Sequence, residues 1–161
     1  RFVLAGAGRH RLHTARFDVD VDRFESLTSQ AREAPVARQV DLLTQAVAMV
    51  RGEVLAGLDY AWVAPLRMRL TESVANALHR LGELLLATGQ PQEARGVAVR
   101  YVQFDPLDER AHLLSMRAQK ALGDLVGVEQ TYRRLVELLR SELGVQPTAE
   151  TERQYRDLLA R

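Results

Sequence analysis

ANALHRLGELLLATGQPQEARGVAVRYVQFDPLD, running from Ala75 to Asp108, reads as one helix–turn–helix unit. Leu81-Gly82 lies in the first helix, Gly89 at the turn, Ala94 in the second helix and Pro106 beyond it. Gly82 has no Cβ and lets the two helices come close, while Ala94 keeps the second helix small where it crosses the first. Gly89 supplies the left-handed residue that ends a helix. Pro106 has no backbone N–H to donate and stops the second helix. Gly123 follows Gly89 by 34 residues, so a second unit, Glu109 to Glu142, follows without a gap.

These intervals match the tetratricopeptide pattern, whose period is about 34 residues. Working outward, other helices are equally legible. Leu66, Leu70, Val74, Leu78, Leu81 and Leu85 form the apolar stripe of a long core-facing helix that starts near Trp62 and Pro65. A helix from about Pro91 to Phe104 has proline in its first turn, where the missing N–H costs nothing. Asp108 can cap a helix that runs to Leu122. After Gly123-Asp124 the next helix carries Val128, Tyr132, Leu135, Val136 and Leu139 and stops at Gly144. Thr148 caps the last helix, on which Tyr155, Leu158 and Leu159 face inward.

Upstream, Asp20 or Asp22 opens a helix through about Ala34, with Phe24 and Leu27 on one face, and Pro35 breaks it. Val36 to Arg51 forms its partner, with Val40, Leu43, Val47 and Val50 on one stripe. This first pair is a degenerate repeat, separated from the next by an insertion of about 21 residues that holds Trp62. For Trp62 the sequence favours packing within the domain over exposure as a partner anchor. The first residues differ. Phe2-Val3-Leu4 and Phe17-Asp18-Val19-Asp20-Val21 are β-like runs around the turn signal Ala5-Gly6-Ala7-Gly8, which fits a hairpin. The expected fold is all-α: a tetratricopeptide-like array of about three helical hairpins plus a closing helix, behind a short N-terminal β-like segment.

The chain has 161 residues, of which 47% are apolar and 27% charged, enough for one domain with a real core. No apolar run approaches a membrane span, and the N-terminus lacks the pattern of a secretion signal, so no membrane partner is expected. Cysteine is absent, which fits a cytoplasmic address. A net charge of +1 does not suggest that this chain by itself wraps nucleic acid.

No catalytic constellation or phosphate-cradling loop stands out, so neither an enzyme nor a cofactor is expected. His10 and His13 have the spacing of half a metal site but read as a solvated pair, since no further ligands are visible. His79 and Glu83, four apart on one helix, read as a surface pair rather than an acid–base couple. The first helix of each hairpin lines the concave groove of such an array. The repeat register puts Asn76, His79, Glu83, Arg110, Leu113, Arg117 and Lys120 there. They form either a polar groove for a partner segment or the polar outer face that any such array needs.

Four stretches, in order, carry a resemblance to a known family. Ser141-Glu142-Leu143-Gly144-Val145-Gln146-Pro147-Thr148-Ala149-Glu150-Thr151 resembles the E-L-G-V-x-P-[ST]-x-E signature that closes the bacterial transcriptional activator domain. Val19-Asp20-Val21-Asp22-Arg23-Phe24-Glu25 resembles its entry. Val50-Arg51-Gly52-Glu53-Val54-Leu55-Ala56-Gly57 resembles its W-R-G-x-x-L-x-x loop, with Val50 in place of tryptophan. Asp105-Pro106-Leu107-Asp108-Glu109 with Ala111-His112 resembles its P-L-x-E-x-x-H step. The resemblance is to the antibiotic-regulatory (SARP-like) activators. It implies that residues 19–161 form the activator domain and that residues 1–18 are the remnant of a preceding winged-helix domain or a linker hairpin. Gly8-Arg9-His10-Arg11-Leu12 would then match the end of the wing. It further implies a regulatory role that supports a DNA-binding domain absent from this chain, self-association as a homo-oligomer, and contact with RNA polymerase or another protein segment. DNA would be reached only through that other domain. The alternative is a tetratricopeptide-like scaffold or signal-relay module attached to a different effector.

Overall fold

Local chemistry explains where the helices start and stop. The computed structural model describes residues 3–6, 9–12, 20–58 and 60–160, with only the backbone described in the first two segments. Seven α-helices stand among them, α1 Asp20–Glu33, α2 Val36–Met49, α3 Val63–Ala87, α4 Pro91–Phe104, α5 Glu109–Ala121, α6 Leu125–Leu143 and α7 Ala149–Leu159. Two short strands, β1 Val3–Gly6 and β2 Arg9–Leu12, pair antiparallel with Val3 opposite Leu12 and Gly6 opposite Arg9. The chain divides into two units, residues 1–49 and 50–161.

In the first unit α1 and α2 form a hairpin, with Phe24 and Ala31 buried on one helix and Leu42, Leu43, Ala46 and Val47 on the other. The β-like reading of Phe17–Val21 is corrected at its end. Asp20 and Val21 belong to α1, and the second strand is Arg9–Leu12. Alternating Asp and Val suits a strand, but Asp20 and Asp22 in a first turn stabilise the positive end of a helix dipole. Asp20 Oδ1 also accepts a hydrogen bond from Val21 N at 2.8 Å. Residues 17–19 lie outside the described residues, as does His13, and the side chain of His10 is likewise not described.

The second unit is built from α3 to α7. Gly89, Gly123 and Gly144 end α3, α5 and α6 with φ of 74°, 78° and 69°, the left-handed geometry that a Cβ disfavours. Asp108, Asp124 and Thr148 cap α5, α6 and α7 by accepting from Arg110 N, Gly127 N and Thr151 N. Leu70, Val74, Leu78, Leu81 and Leu85 of α3 are all buried, as the sequence stripe requires. Gly82 makes its tightest approach to the next hairpin, beyond the helix pair in which the sequence places it. A Cβ there would lie 2.3 Å from Leu114 Cδ2, on the first helix of the next hairpin. Gly82 therefore relieves α3 against α5, while Ala94 and Ala98 are the fully buried small residues of α4.

The loop before α3 is held by one side chain. Arg67 donates from Nε to Val54 O at 3.2 Å, and from Nη2 to Leu55 O at 3.1 Å and Leu58 O at 2.8 Å. Trp62 does not pack into the core. It is 68% exposed and stacks on Tyr60, itself 62% exposed, with ring centroids 6.1 Å apart. Arg67 binds three carbonyls of this loop, and the two aromatic rings stand exposed after it.

Candidate functional site

α3 and α5 are equivalent helices of successive repeats, so residues 34 apart face each other across them. Arg110 Nη1 donates to Asn76 Oδ1 at 3.0 Å, and Arg117 Nη1 donates to Glu83 Oε1 at 2.5 Å, both pairs with that separation. Five of the residues expected in the groove, Asn76, His79, Glu83, Arg110 and Arg117, are thus brought to one face. Leu113 and Lys120 are not on this open surface. Leu113 is buried with Met116 and Val128 beneath residues of α7, and Lys120 Nζ donates to Leu158 O at 2.6 Å.

Residues that the sequence did not single out complete the cluster. Tyr101 of α4 is fully buried, and its hydroxyl donates to Asp108 Oδ2 at 2.5 Å. Arg110 reaches back to the same carboxylate, from Nη2 to Oδ2 at 2.7 Å and from Nε to Oδ1 at 3.1 Å. The N-cap of α5 is therefore also the anchor of a cationic side chain and of a tyrosine from the neighbouring helix. The recognisable signal was Asp108 as a cap; nothing in the spacing indicated Tyr101.

The charges respond as this geometry dictates. Burial alone would raise the Asp108 pKa, but the hydrogen bonds from Arg110 and Tyr101 hold it below its ordinary value. Burial, then the bond to Asp108, pushes the Tyr101 hydroxyl well above the usual tyrosine value. The bond to Asp108 also raises Arg110 further. His79 lies edge-on to Tyr101, centroids 6.4 Å apart, and its buried Nδ1 has no hydrogen-bond partner. Burial holds its imidazole below the ordinary value, against the opposing pull of Glu83. Glu83 is bonded by Arg117 and also exerts its charge on His79 one helical turn away.

In both ion pairs the arginine is the outer partner. The side chains of Arg110 and Arg117 are 46% and 41% exposed, against 13% for Asp108 and 24% for Glu83. The face is close to neutral in count, yet it shows solvent guanidinium rather than carboxylate. Among the described residues no group of three or more His, Asp or Glu side chains could hold a metal ion. Among them no helix is long and apolar enough to cross a membrane.

The family model described as the bacterial transcriptional activator domain matches residues 19–159. No curated protein matches the chain. Among solved structures, Mycobacterium tuberculosis EmbR in complex with a low affinity phosphopeptide is similar in fold, with a TM-score of 0.77 and 21% identity. The match covers 98% of this chain but 43% of that one, so the chain spans less than half the length of the structure it resembles.

Proposed function

The chain belongs to the bacterial transcriptional activator domain family, and we propose that it works as a regulatory interaction module whose α3–α5 face takes an acidic segment of a partner protein. Arg110 and Arg117 carry the reading, because their guanidinium groups stand outside the carboxylates that orient them. Each is held by a neighbour one repeat away, so little side-chain freedom is lost when a partner binds. Asn76 adds a neutral amide to the same face. The family's role in activation points to RNA polymerase as the source of the acidic segment. Self-association and support of a DNA-binding domain belong to the same proposed role, and DNA is contacted through that other domain.

The test is a promoter-reporter assay with the intact regulator carrying Arg110→Gln and Arg117→Gln. Glutamine keeps a donor for Asn76 or Glu83 and removes both charges. Lys120 is left alone because its ammonium group holds α7. Activation should fall several-fold while the domain stays folded and helical at the assay temperature, with a midpoint lowered by the lost bonds to Asp108 and Glu83. Wild-type activation by the folded double variant would move the partner surface elsewhere.

A further inference from the structure

Asn76 and Glu83 are seven residues apart on α3, and Arg110 and Arg117 are seven residues apart on α5. Seven residues of α-helix rise about 10 Å and return to nearly the same side. The bonds from Arg110 Nη1 to Asn76 Oδ1, at 3.0 Å, and from Arg117 Nη1 to Glu83 Oε1, at 2.5 Å, fix that interval from both helices at once. The face therefore shows two partly exposed guanidinium groups about 10 Å apart, each held in place. A guanidinium has five N–H donors, and neither arginine spends all of them in its bonds to Asn76, Asp108 or Glu83. Between the two stands His79, half-buried and with its ring edge-on to Tyr101. The middle of the face is thus an aromatic surface flanked by two cations.

That interval discriminates between ligands. A single phosphate group is too small to reach both arginines. An extended peptide alternates its side chains, so its same-side positions fall at about 7 Å and about 13 Å, short of the interval and beyond it. An α-helix matches it, because positions i and i+7 share one side at the rise of α5 itself. A second copy of this chain offers Glu150 and Asp157 on α7 at the same spacing. Arg153 stands between those two and is paired with Glu150, so α7 would bring a further cation to the middle of this face.

We infer, resting on the acidic partner proposed for this face, that its ligand is an amphipathic helix of a partner protein with Asp or Glu at two positions seven residues apart and an apolar or aromatic residue between them. Arg110 and Arg117 each take one carboxylate by charge-assisted hydrogen bonds. The His79 ring, backed by Tyr101, takes the residue between.

The probes are two fluorescein-labelled, alanine-based helical peptides of identical composition, titrated into the 161-residue chain. The matched peptide carries two glutamates seven residues apart with a leucine between them. In the offset peptide the second glutamate is moved two residues closer, onto the other side of the helix. The matched peptide should bind about fivefold or more tightly than the offset one, the size of effect that exposed charge pairs supply, and the ratio should shrink in about 1 M salt. The preference should vanish in the chain carrying Arg110→Gln and Arg117→Gln, checked for helicity. It should vanish equally on the wild-type chain when both glutamates of the matched peptide are replaced by glutamine, a control that leaves the fold untouched. Equal binding of both peptides, lost in the double variant, would overturn the helical ligand while leaving an acidic partner in place. Absence of binding by both peptides, or binding that the double variant does not alter, would overturn the acidic partner and the helix together. A chain whose mass doubles with concentration, and stays single in the double variant, would give the face to a second copy and overturn the proposal too.

Discussion

Arg117 and Glu83 are one full repeat apart in sequence, 34 residues, and are joined by a 2.5 Å bond between α5 and α3. Arg110 and Asn76 repeat the relationship one helical segment earlier. The positions that a helical-hairpin array turns toward its open face therefore also tie one hairpin to the next. The same side chains hold the register of the repeats and present the charges.

A double-mutant cycle at this pair should show a modest, salt-sensitive coupling. The two side chains are 41% and 24% exposed, and pairs in such surroundings contribute about 0–1 kcal/mol. Glu83→Gln, Arg117→Gln and the double variant are compared by urea unfolding. Coupling of about 0.5 kcal/mol at low salt should fade by about 1 M salt. A coupling that does not change with salt would mean that the bond acts through packing rather than charge.

Gly82→Ala should destabilise the second unit, and Leu114 should be the reason. The added Cβ would sit 2.3 Å from Leu114 Cδ2, 2.8 Å from Cδ1 and 3.0 Å from Cγ. Leu114 is 1% exposed and has little room to retreat, so overpacking should cost about 1–3 kcal/mol. Leu114→Ala alone leaves a cavity, and the two substitutions together should cost less than their sum. Strict additivity of the unfolding midpoints would show that the two side chains do not compete for that space.

The helical framework was readable because its determinants are local. Pro91, Asp108, Gly123, Gly144 and Thr148 fix helix ends through backbone geometry and caps that act within a few residues. The 34-residue spacing then set which helices are equivalent, and so which residues share the α3–α5 face. What could not be read depended on contacts between helices. The sequence gives Leu113 and Lys120 the same status as Arg110, because the repeat register does not reveal that α7 lies across them. Tyr101 looks like one more apolar residue until α5 brings Asp108 to its hydroxyl. Trp62 reads from the sequence as packed within the domain, because an aromatic of that type carries no local signal of exposure, and it stands 68% exposed beside Tyr60.

His79 should make the domain acid-sensitive above the carboxylate range. Burial lowers its folded pKa, Glu83 and Asp108 oppose that shift, and Arg110 and Arg117 reinforce it. The folded state therefore binds fewer protons than the unfolded state once pH falls below the ordinary histidine value, about 6.5. The stabilising contribution is fully present above that value and is lost as pH falls through the lower folded one. His79→Gln should flatten the thermal midpoint between about pH 7 and pH 5. A wild-type midpoint that already stays level across this window would remove His79 as the sensor.

Tyr101→Phe should weaken the fold at neutral pH and lose much of that effect in acid. The ring is fully buried, so phenylalanine keeps its packing and its edge contact with His79 while removing the hydroxyl. The bond lost is a donor to an ionised carboxylate, a type that contributes about 1.5–3 kcal/mol. Arg110 still serves Asp108 in the variant, which places the expected cost at the lower end of that range. The sign with pH follows from Asp108. Burial would raise its pKa, but the bonds from Arg110 and Tyr101 lower it on balance. Its stabilising contribution is therefore present above the ordinary carboxylate value and disappears as pH falls through the lower folded one. Without the tyrosine bond the folded value moves back up, so the variant has less to lose on acidification. Urea unfolding at pH 7 and near pH 3 should show the gap between wild type and Tyr101→Phe narrowing as Asp108 takes up its proton. A gap of constant size would mean that the hydroxyl stabilises the fold without drawing on the charge of Asp108.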